Sequence, residues 1–260
     1  MKKILNLAIV QSDLAWENIA INHANFSRTL KTVNADVDIA ILPEMFTTGF
    51  SMNAQKLAQP MNGDTVTWMK SHAASMGFAI CGSIIIEEDG NYFNRFVFAT
   101  PEGTMFTYDK RHLFTFANEN KRYTHGRNRL VFEYKGWRIL PQICYDVRFP
   151  VWSRNRNDYD LIINVANFPG ERRDAWITLN KARAIENQSY VAAANRVGTS
   201  GMDIYYTGDS LILDMLGKPI SEALPGQEKV IYGSLNIDLL KQFRDDFPVL
   251  PDADAFTLSE

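Results

Sequence analysis

Three side chains in this chain could carry out acyl transfer together: a thiol, a carboxylate and an ammonium, each placed where an apolar run stops. Cys144 lies in "PQICYDVRFP", at the end of such a run and directly before Asp146 and Arg148. A free cysteine usually behaves as a small buried hydrophobe, and Cys81, inside "FAICGSIII", is read that way. Cys144 differs because charged residues follow it within two positions, and strand ends are where α/β proteins present reactive side chains. A thiol with an ordinary pKa of ~8.5 is mostly protonated at neutral pH, so a nucleophilic role requires a base or a cationic neighbour.

Two kinds of base are available. Of the four histidines, His23 and His72 fall in expected helices with no partner motif, whereas His112 and His125 lie in a loop-like region. A cysteine-histidine pair is therefore open, although no local signature surrounds one. Glu44 is the other choice: in "AILPEMFTTGF" it follows the apolar run "VDIAIL" and a proline, and precedes a glycine-containing loop. Its plain alternative is an ordinary acid at a loop start. A carboxylate facing a thiol can take its proton if burial raises the carboxyl pKa. Lys110, in "MFTYDKRHLF", reads either as part of a solvated turn or as a fixed ammonium that stabilises developing oxyanion charge. Phosphate-binding loops, zinc-hydrolase helices, serine elbows and dinucleotide fingerprints are all missing from the sequence. With few histidines and no ligand spacing, neither a metal nor a cofactor is expected.

The elements that must position these residues alternate between β-rich and helical segments. "ILNLAIV", "VDIAIL", "LVFEY", "RILPQI", "LIINVA", "YVAAANR", "DSLILD" and "VIYGSLN" read as strands, from their β-branched content and short apolar runs. Helices are expected at 17–33, 65–76, 174–188 and 238–245. Between "FAICGSIIIEE", "YFNRFVFAT" and "TMFTYDK", turns at Asp89-Gly90-Asn91 and Pro101-Glu102-Gly103 signal antiparallel hairpins. No linker of low complexity interrupts this pattern, so residues 1–247 are expected to form one domain of sheets covered by helices. Residues 248–260, with two prolines and several acids, are expected to form an extended tail.

Composition narrows the function classes. The 260 residues are 46% hydrophobic, 12% aromatic and 22% charged, which is ordinary for a globular protein with a core large enough to need no staples. Net charge is -3 and no run of five like charges occurs, which argues against nucleic acid or a polybasic membrane anchor as partners. No apolar stretch approaches the length of a bilayer span. The amino-terminal "MKKILNLAIVQSDLAW" breaks at Gln11-Ser12-Asp13 without a small-residue cleavage site, so it reads as a strand rather than a signal peptide. Two cysteines and no C-x-x-C argue against a disulfide framework or a zinc ribbon and favour the cytoplasm.

Glu44, Lys110 and Cys144 come in that order, each at the end of a β-rich segment, and at this point the sequence resembles the nitrilase, or carbon-nitrogen hydrolase, superfamily. "LPEMF", "YDKRHLF" and "ICYDVRFP" are similar to its three signature blocks. "NVANFPGERRDAW" and "KARAIENQSYVAAANRVG" extend the similarity to about Asp238, and "CYDVRFP" with "NFP" and "ARAIENQ" resembles the omega-amidase branch. The resemblance implies a four-layer α-β-β-α sandwich, an α/β fold of the α+β type, that pairs into homodimers. It implies hydrolysis of small dicarboxylic monoamides such as α-ketoglutaramate, α-ketosuccinamate and succinamate through a cysteine thioester, with no cofactor. Glu44, Lys110 and Cys144 would be catalytic, and Glu119 in "FANENKRYTHG" matches a second glutamate that many members carry; Glu133 competes for that place. The backbone N–H of Tyr145 would help hold the oxyanion. Arg148, Arg172 and Arg173 are the choices for gripping the distal carboxylate of the substrate, with Arg148 alternatively paired to Asp146. The alternatives are another hydrolase of the same fold, acting on N-carbamoyl compounds or aliphatic amides, or a catalytically silent binding module.

Overall fold

The structure is a computed structural model that describes residues 2–258. The last two residues of the expected tail, 259 and 260, lie outside the described residues. The first half of the chain runs β1 (Ile4–Gln11), α1 (Ile19–Leu30), β2 (Ile39–Ile41), α2 (Ala54–Leu57), α3 (Asp64–Met76), β3 (Ala79–Glu88), β4 (Asn91–Ala99) and β5 (Met105–Asp109). The second runs β6 (Phe132–Tyr134), β7 (Trp137–Ile143), α4 (Pro150–Ser153), β8 (Leu161–Ala166), α5 (Arg173–Asn187) and β9 (Tyr190–Asn195). It closes with β10 (Val197–Thr199), β11 (Tyr205–Thr207), β12 (Leu211–Leu213), β13 (Pro219–Glu222), β14 (Lys229–Asn236) and α6 (Ile237–Asp246).

The strands form two six-stranded sheets, ordered β14-β1-β2-β3-β4-β5 and β13-β12-β9-β8-β7-β6, and a small β10-β11 ribbon. Each large sheet has a parallel centre, β1-β2-β3 in the first and β7-β8-β9 in the second, with antiparallel strands on both sides. Parallel neighbours need a crossover, and α1, α3 and α5 lie in the β1–β2, β2–β3 and β8–β9 connections.

Strand side chains alternate between faces, and that alternation builds three apolar layers. Leu5, Leu7 and Ile9 of β1 point into the core between the sheets, joined by Ile39, Ile41, Phe96 and Phe98 and, from the second sheet, Ile139, Ile143, Leu161, Ile163 and Val165. Ala8 and Val10 point the other way, beneath Phe26 and Leu30 of α1 and Val66, Met69 and Ala73 of α3. Leu140, Ile162, Val191 and Ala193 of the second sheet meet Trp176 and Ala184 of α5. The expected four-layer α-β-β-α sandwich is the result. Because both faces of β8 are covered, "LIINVA" is buried at every position and shows no alternation in sequence. Truncating a side chain in the middle layer, such as Ile163→Ala, would cost about 2–5 kcal/mol in lost burial and cavity formation.

Local chemistry sets the boundaries. The helix expected from Glu17 starts at Ile19 because the Asn18 side chain caps it by accepting from the Ile21 N–H at 3.1 Å. Glu17 itself is in the left-handed region at φ 50° and accepts a hydrogen bond from the Ser51 hydroxyl. Between β3 and β4, Asp89 and Gly90 have φ of 51° and 75°, the pair of positive values that a two-residue type I′ hairpin requires. The described tail is not wholly extended, since Leu250–Asp252 forms one 3-10 turn. Among the described residues, no helix is long and apolar enough to cross a membrane.

Candidate active site

The carboxyl ends of the central strands of both sheets, and the end of β5 beside them, open onto one buried cluster. Crevices at the carboxyl ends of parallel strands are where open α/β sheets place their chemistry. After β2, Leu42 donates to the Cys81 carbonyl at 2.7 Å, and the Pro43 ring ends the strand pairing. Glu44 follows, fully buried, and is held because the Met45 N–H donates to Ser83 Oγ at 2.9 Å. Gly82 makes room for this turn, since a Cβ there would stand 2.9 Å from the Phe46 ring. Lys110 follows β5; its N–H donates to the Asn94 carbonyl at 3.0 Å and its carbonyl accepts from Gly126 at 2.9 Å. A Cβ at position 126 would collide with the Asp109 carbonyl, so the approach depends on glycine. Glu119 comes after Asn118, whose φ of 58° reverses the chain between two 3-10 turns.

Cys144 follows β7 directly and opens the 3-10 turn Cys144–Arg148 with φ 48°. A left-handed conformation for a non-glycine residue costs on the order of 1–3 kcal/mol and persists where surroundings enforce it. Here the Cys144 N–H donates to Asn164 Oδ1 at 3.0 Å. Tyr145 is the next residue of the same turn, where main-chain N–H groups lack an intrahelical acceptor.

The side chains converge on Lys110. Its Nζ lies 2.8 Å from Glu44 Oε1 and 3.0 and 3.1 Å from Glu119 Oε2 and Oε1. Asn94 Nδ2 donates to Glu44 Oε1 at 2.8 Å and to Glu119 Oε1 at 3.3 Å. The Asn167 N–H donates to Glu44 Oε2 at 2.8 Å, and its side-chain amide donates to the Glu44 carbonyl. The Phe114 N–H donates to Glu119 Oε2. Glu44, Lys110 and Glu119 are all buried, so the ammonium and its two carboxylates compensate one another away from water.

Electrostatics decide where the protons rest. Burial works against the charge on Lys110, but the Glu119 and Glu44 carboxylates outweigh it and hold its pKa above the ordinary lysine value. Burial raises the Glu119 carboxyl, with Lys110 opposing. Burial also pushes the Cys144 thiol well above its usual pKa; the negative charge of Glu44 adds to that, and Lys110 acts against it. A thiolate at rest would set a third negative charge against one ammonium. Burial and the neighbouring carboxylate therefore favour a neutral Cys144 thiol at rest.

Cys144 is partly accessible from a cavity of about 290 Å3, near the lower end of the size range of small-molecule sites. Lys110, Tyr145, Arg148, Asn167 and Arg172 supply polar groups to its wall; Phe50, Phe114 and Phe168 supply apolar ones. Arg148 lies over the Phe168 ring at 5.6 Å and Arg172 over Phe114 at 5.5 Å.

The sequence-derived choices separate on this geometry. Glu44, Lys110, Glu119 and Cys144 come together, while Glu133 is exposed on β6. Arg148 and Arg172 reach the cavity, but Arg173 does not line it: its guanidinium bonds Asp209 at 2.6 and 3.2 Å. Asp146 is not the partner of Arg148, because its carboxylate accepts from Tyr108, His112 and the Ile143 N–H. His112 turns to that same aspartate at 2.8 Å, and His125 lines a separate cleft, so the cysteine-histidine alternative is not what the chain builds. Asn94, Asn164 and Asn167 escaped the sequence reading. Their only signal was polarity inside or at the end of otherwise apolar strands. Among the described residues, no group of three or more His, Cys, Asp or Glu is placed to hold a metal ion.

Comparisons with known proteins agree with this architecture. Residues 6–245 match the family described as carbon-nitrogen hydrolase. The chain is 44% identical to omega-amidase YafV of Yersinia enterocolitica, over 98% of each protein. It is 30% identical to a 2-oxoglutaramate amidase of Bacillus subtilis, over 95% of this chain and 96% of that one. Among solved structures, a CN-hydrolase superfamily protein from Xanthomonas campestris with an arsenic adduct in its active site superposes with TM-score 0.97 at 44% identity, covering 99% of this chain and 100% of that one. An amidase from Nesterenkonia sp. shares the fold at TM-score 0.80 and 20% identity, covering 95% of this chain and 97% of that one.

Proposed function

We propose that this chain, which belongs to the carbon-nitrogen hydrolase family, is an omega-amidase that hydrolyses the side amide of small dicarboxylic monoamides to acid and ammonia. The observation that carries the reading is the buried cluster: a thiol, a carboxylate and an ammonium, with Cys144 open to a cavity whose wall also holds Arg148 and Arg172. Likeness to proteins named omega-amidase and 2-oxoglutaramate amidase supports the choice of substrate.

In this mechanism Glu44 accepts the Cys144 proton as sulfur attacks the amide carbon. The Lys110 ammonium and the Tyr145 N–H hold the resulting oxyanion, each such donor being worth about 2.7–4 kcal/mol in the transition state. Glu44, now protonated, delivers that proton to the leaving nitrogen; ammonia departs and an acyl thioester remains on Cys144. Glu44 then takes a proton from water, the hydroxide adds to the thioester, and the collapsing intermediate expels the sulfur, which regains its proton from Glu44. One carboxyl thus serves alternately as base and acid. Glu119 holds Lys110 in place through both of its oxygens.

An arginine fork suits the distal carboxylate of the substrate. Arg148 is the first choice of the two that line the cavity, because among the described residues no carboxylate is in ion-pair contact with it, whereas Arg172 bonds Glu171. Residues 1–247 act as one hydrolase unit, with the tail docked on its own chain by Arg156 over the Phe256 ring at 4.8 Å. We place the protein in the cytoplasm, supported by two cysteines that are both free. It works as a homodimer, and exposed apolar residues such as Ile185, Leu216 and Leu239 support such a contact.

Ammonia release from α-ketoglutaramate by the wild type and by Cys144→Ala tests the function. Release that the substitution abolishes is expected. No release by the wild type would reject the substrate class.

A further inference from the structure

The two oxyanion donors of this site hang from different sheets. Lys110 follows β5 of the first sheet and Tyr145 follows β7 of the second. Both must reach the same substrate oxygen to within hydrogen-bond distance, about 2.7–3.1 Å. The core between the sheets is apolar, and apolar burial is non-directional, so it holds the sheets together without fixing their relative register to that tolerance.

A buried carboxylate that the mechanism does not use spans this gap. Asp146 Oδ1 accepts from the His112 N–H at 3.0 Å and faces His112 Nδ1 at 2.8 Å. Its Oδ2 accepts from the Tyr108 hydroxyl at 2.8 Å and from the Ile143 N–H at 3.0 Å. Tyr108 and His112 stand two residues before and two after Lys110, while Ile143 and Asp146 bracket Cys144 and Tyr145. The Tyr108 oxygen in turn accepts from Trp152 Nε1 at 3.0 Å and from the Arg111 N–H at 3.2 Å, which leaves its own proton for Asp146. The His112 ring lies flat on Phe149, with centroids 3.7 Å apart and an interplanar angle of 6°.

We propose that Asp146 is a positioning residue, a clamp through which His112 and Tyr108 hold the Lys110 segment in register with the nucleophile turn. The inference rests on the acyl-transfer reading of the site but not on the identity of the substrate. Three directional bonds from Tyr108 and His112 onto one fully buried carboxylate, itself anchored to its own turn by the Ile143 N–H, supply what the apolar layer lacks. The cross-sheet bonds bear on the Lys110 segment more than on the base, because Glu44 has its own bonds from Asn94 and Asn167 besides the one from Lys110.

Two substitutions at His112 separate the clamp from the ring stack. His112→Phe keeps a ring over Phe149 and the main-chain N–H to Asp146 but removes the side-chain donor; His112→Asn loses the ring but returns an amide N–H near the place of Nδ1. Two reactions of Cys144 separate oxyanion support from general damage. Acylation by p-nitrophenyl acetate passes through an oxyanion and is read as the nitrophenolate release that Cys144→Ala abolishes. Alkylation by iodoacetamide displaces iodide from carbon and forms no oxyanion. The ester carries no distal carboxylate, so failure of the omega-amidase reading leaves this comparison intact.

In His112→Phe, acylation is expected to fall roughly tenfold or more, as small misplacements of reacting groups do, with alkylation within about twofold of wild type. His112→Asn is expected to recover most of the acylation rate. The proposal is overturned if acylation by His112→Phe equals wild type, if both reactions fall alike, or if His112→Asn is as slow as His112→Phe.

Discussion

Replacing Glu119 by glutamine should cost catalysis far more than substrate affinity. Oε1 accepts from Lys110 at 3.1 Å and Asn94 at 3.3 Å, and Oε2 accepts from Lys110 at 3.0 Å and from the Phe114 N–H. Glutamine fits the space, but whichever way its amide turns, an NH2 group faces two donors. Leaving such buried groups unpaired costs about 1–3 kcal/mol, and the ammonium loses the carboxylate charge and one of its two bonds to residue 119, while its 2.8 Å bond to Glu44 stays at full strength. Lys110 then relaxes toward Glu44 and away from the oxyanion that the proposed mechanism has it hold. Loss of one oxyanion donor lowers kcat by about 10²–10³, so Glu119→Gln is expected to reduce kcat roughly a hundredfold while KM changes by less than about threefold. Steady-state ammonia release from succinamate measures both, with Lys110→Ala as the reference for complete loss of the donor. A kcat within threefold of wild type, together with a lowered melting temperature, would show that Glu119 serves stability alone and would refute this reasoning.

Other consequences follow from the same geometry. Because burial and Glu44 raise the Cys144 thiol while Lys110 opposes them, the rate of Cys144 alkylation by iodoacetamide should keep rising with pH beyond the ~8.5 of a free thiol. A titration step at or below that value would mean a preformed thiolate. Arg148→Ala should lose activity on succinamate far more than on butyramide, which has no distal carboxylate; equal losses would remove Arg148 from substrate binding. Away from the site, burial opposes the charge on Asp160, but hydrogen bonds from Arg138, with the charge of Arg244, hold its pKa below the usual carboxylate range. A depressed pKa contributes stability above the unfolded value of about 3.9 and loses it as pH falls through the folded value. Asp160→Asn is therefore expected to destabilise by about 3 kcal/mol in urea at neutral pH, with the gap closing in acid below pH ~4; a gap independent of pH would contradict the assignment.

What could be read from the sequence was what is encoded locally. The Asp89-Gly90 turn announced its hairpin because two successive positive φ values suit few residue pairs. Glu44, Lys110 and Cys144 stood out because each follows an apolar strand, so the change from apolar to charged sequence marks the place where backbone leaves the core, whereas Glu119, between two 3-10 turns, was marked only by the family resemblance. Long-range pairing was not encoded locally. That β14 joins β1 across the chain, through Ile4 opposite Asn236, depends on the whole first sheet. The three-residue strands β10 and β11 pair with each other, with one further bridge from Val197 to Asp13, and carry too few residues for a period to show. The sequence does not separate Arg173 from Arg148 and Arg172 as a grip for the substrate carboxylate, yet its place in the turn into α5 sends its guanidinium to Asp209 instead. Asn94 looked like one polar residue in a strand, and its double role between Glu44 and Glu119 emerges only when β4 sets it beside both.

The most direct test of the account is to look for the thioester. Wild-type protein mixed with succinamate, quenched in acid and digested, should yield the Cys144 peptide carrying a succinyl group that hydroxylamine removes. Continued ammonia release by Cys144→Ala, or brisk wild-type turnover with no acyl group ever found on Cys144, would contradict the claim that this thiol is the nucleophile.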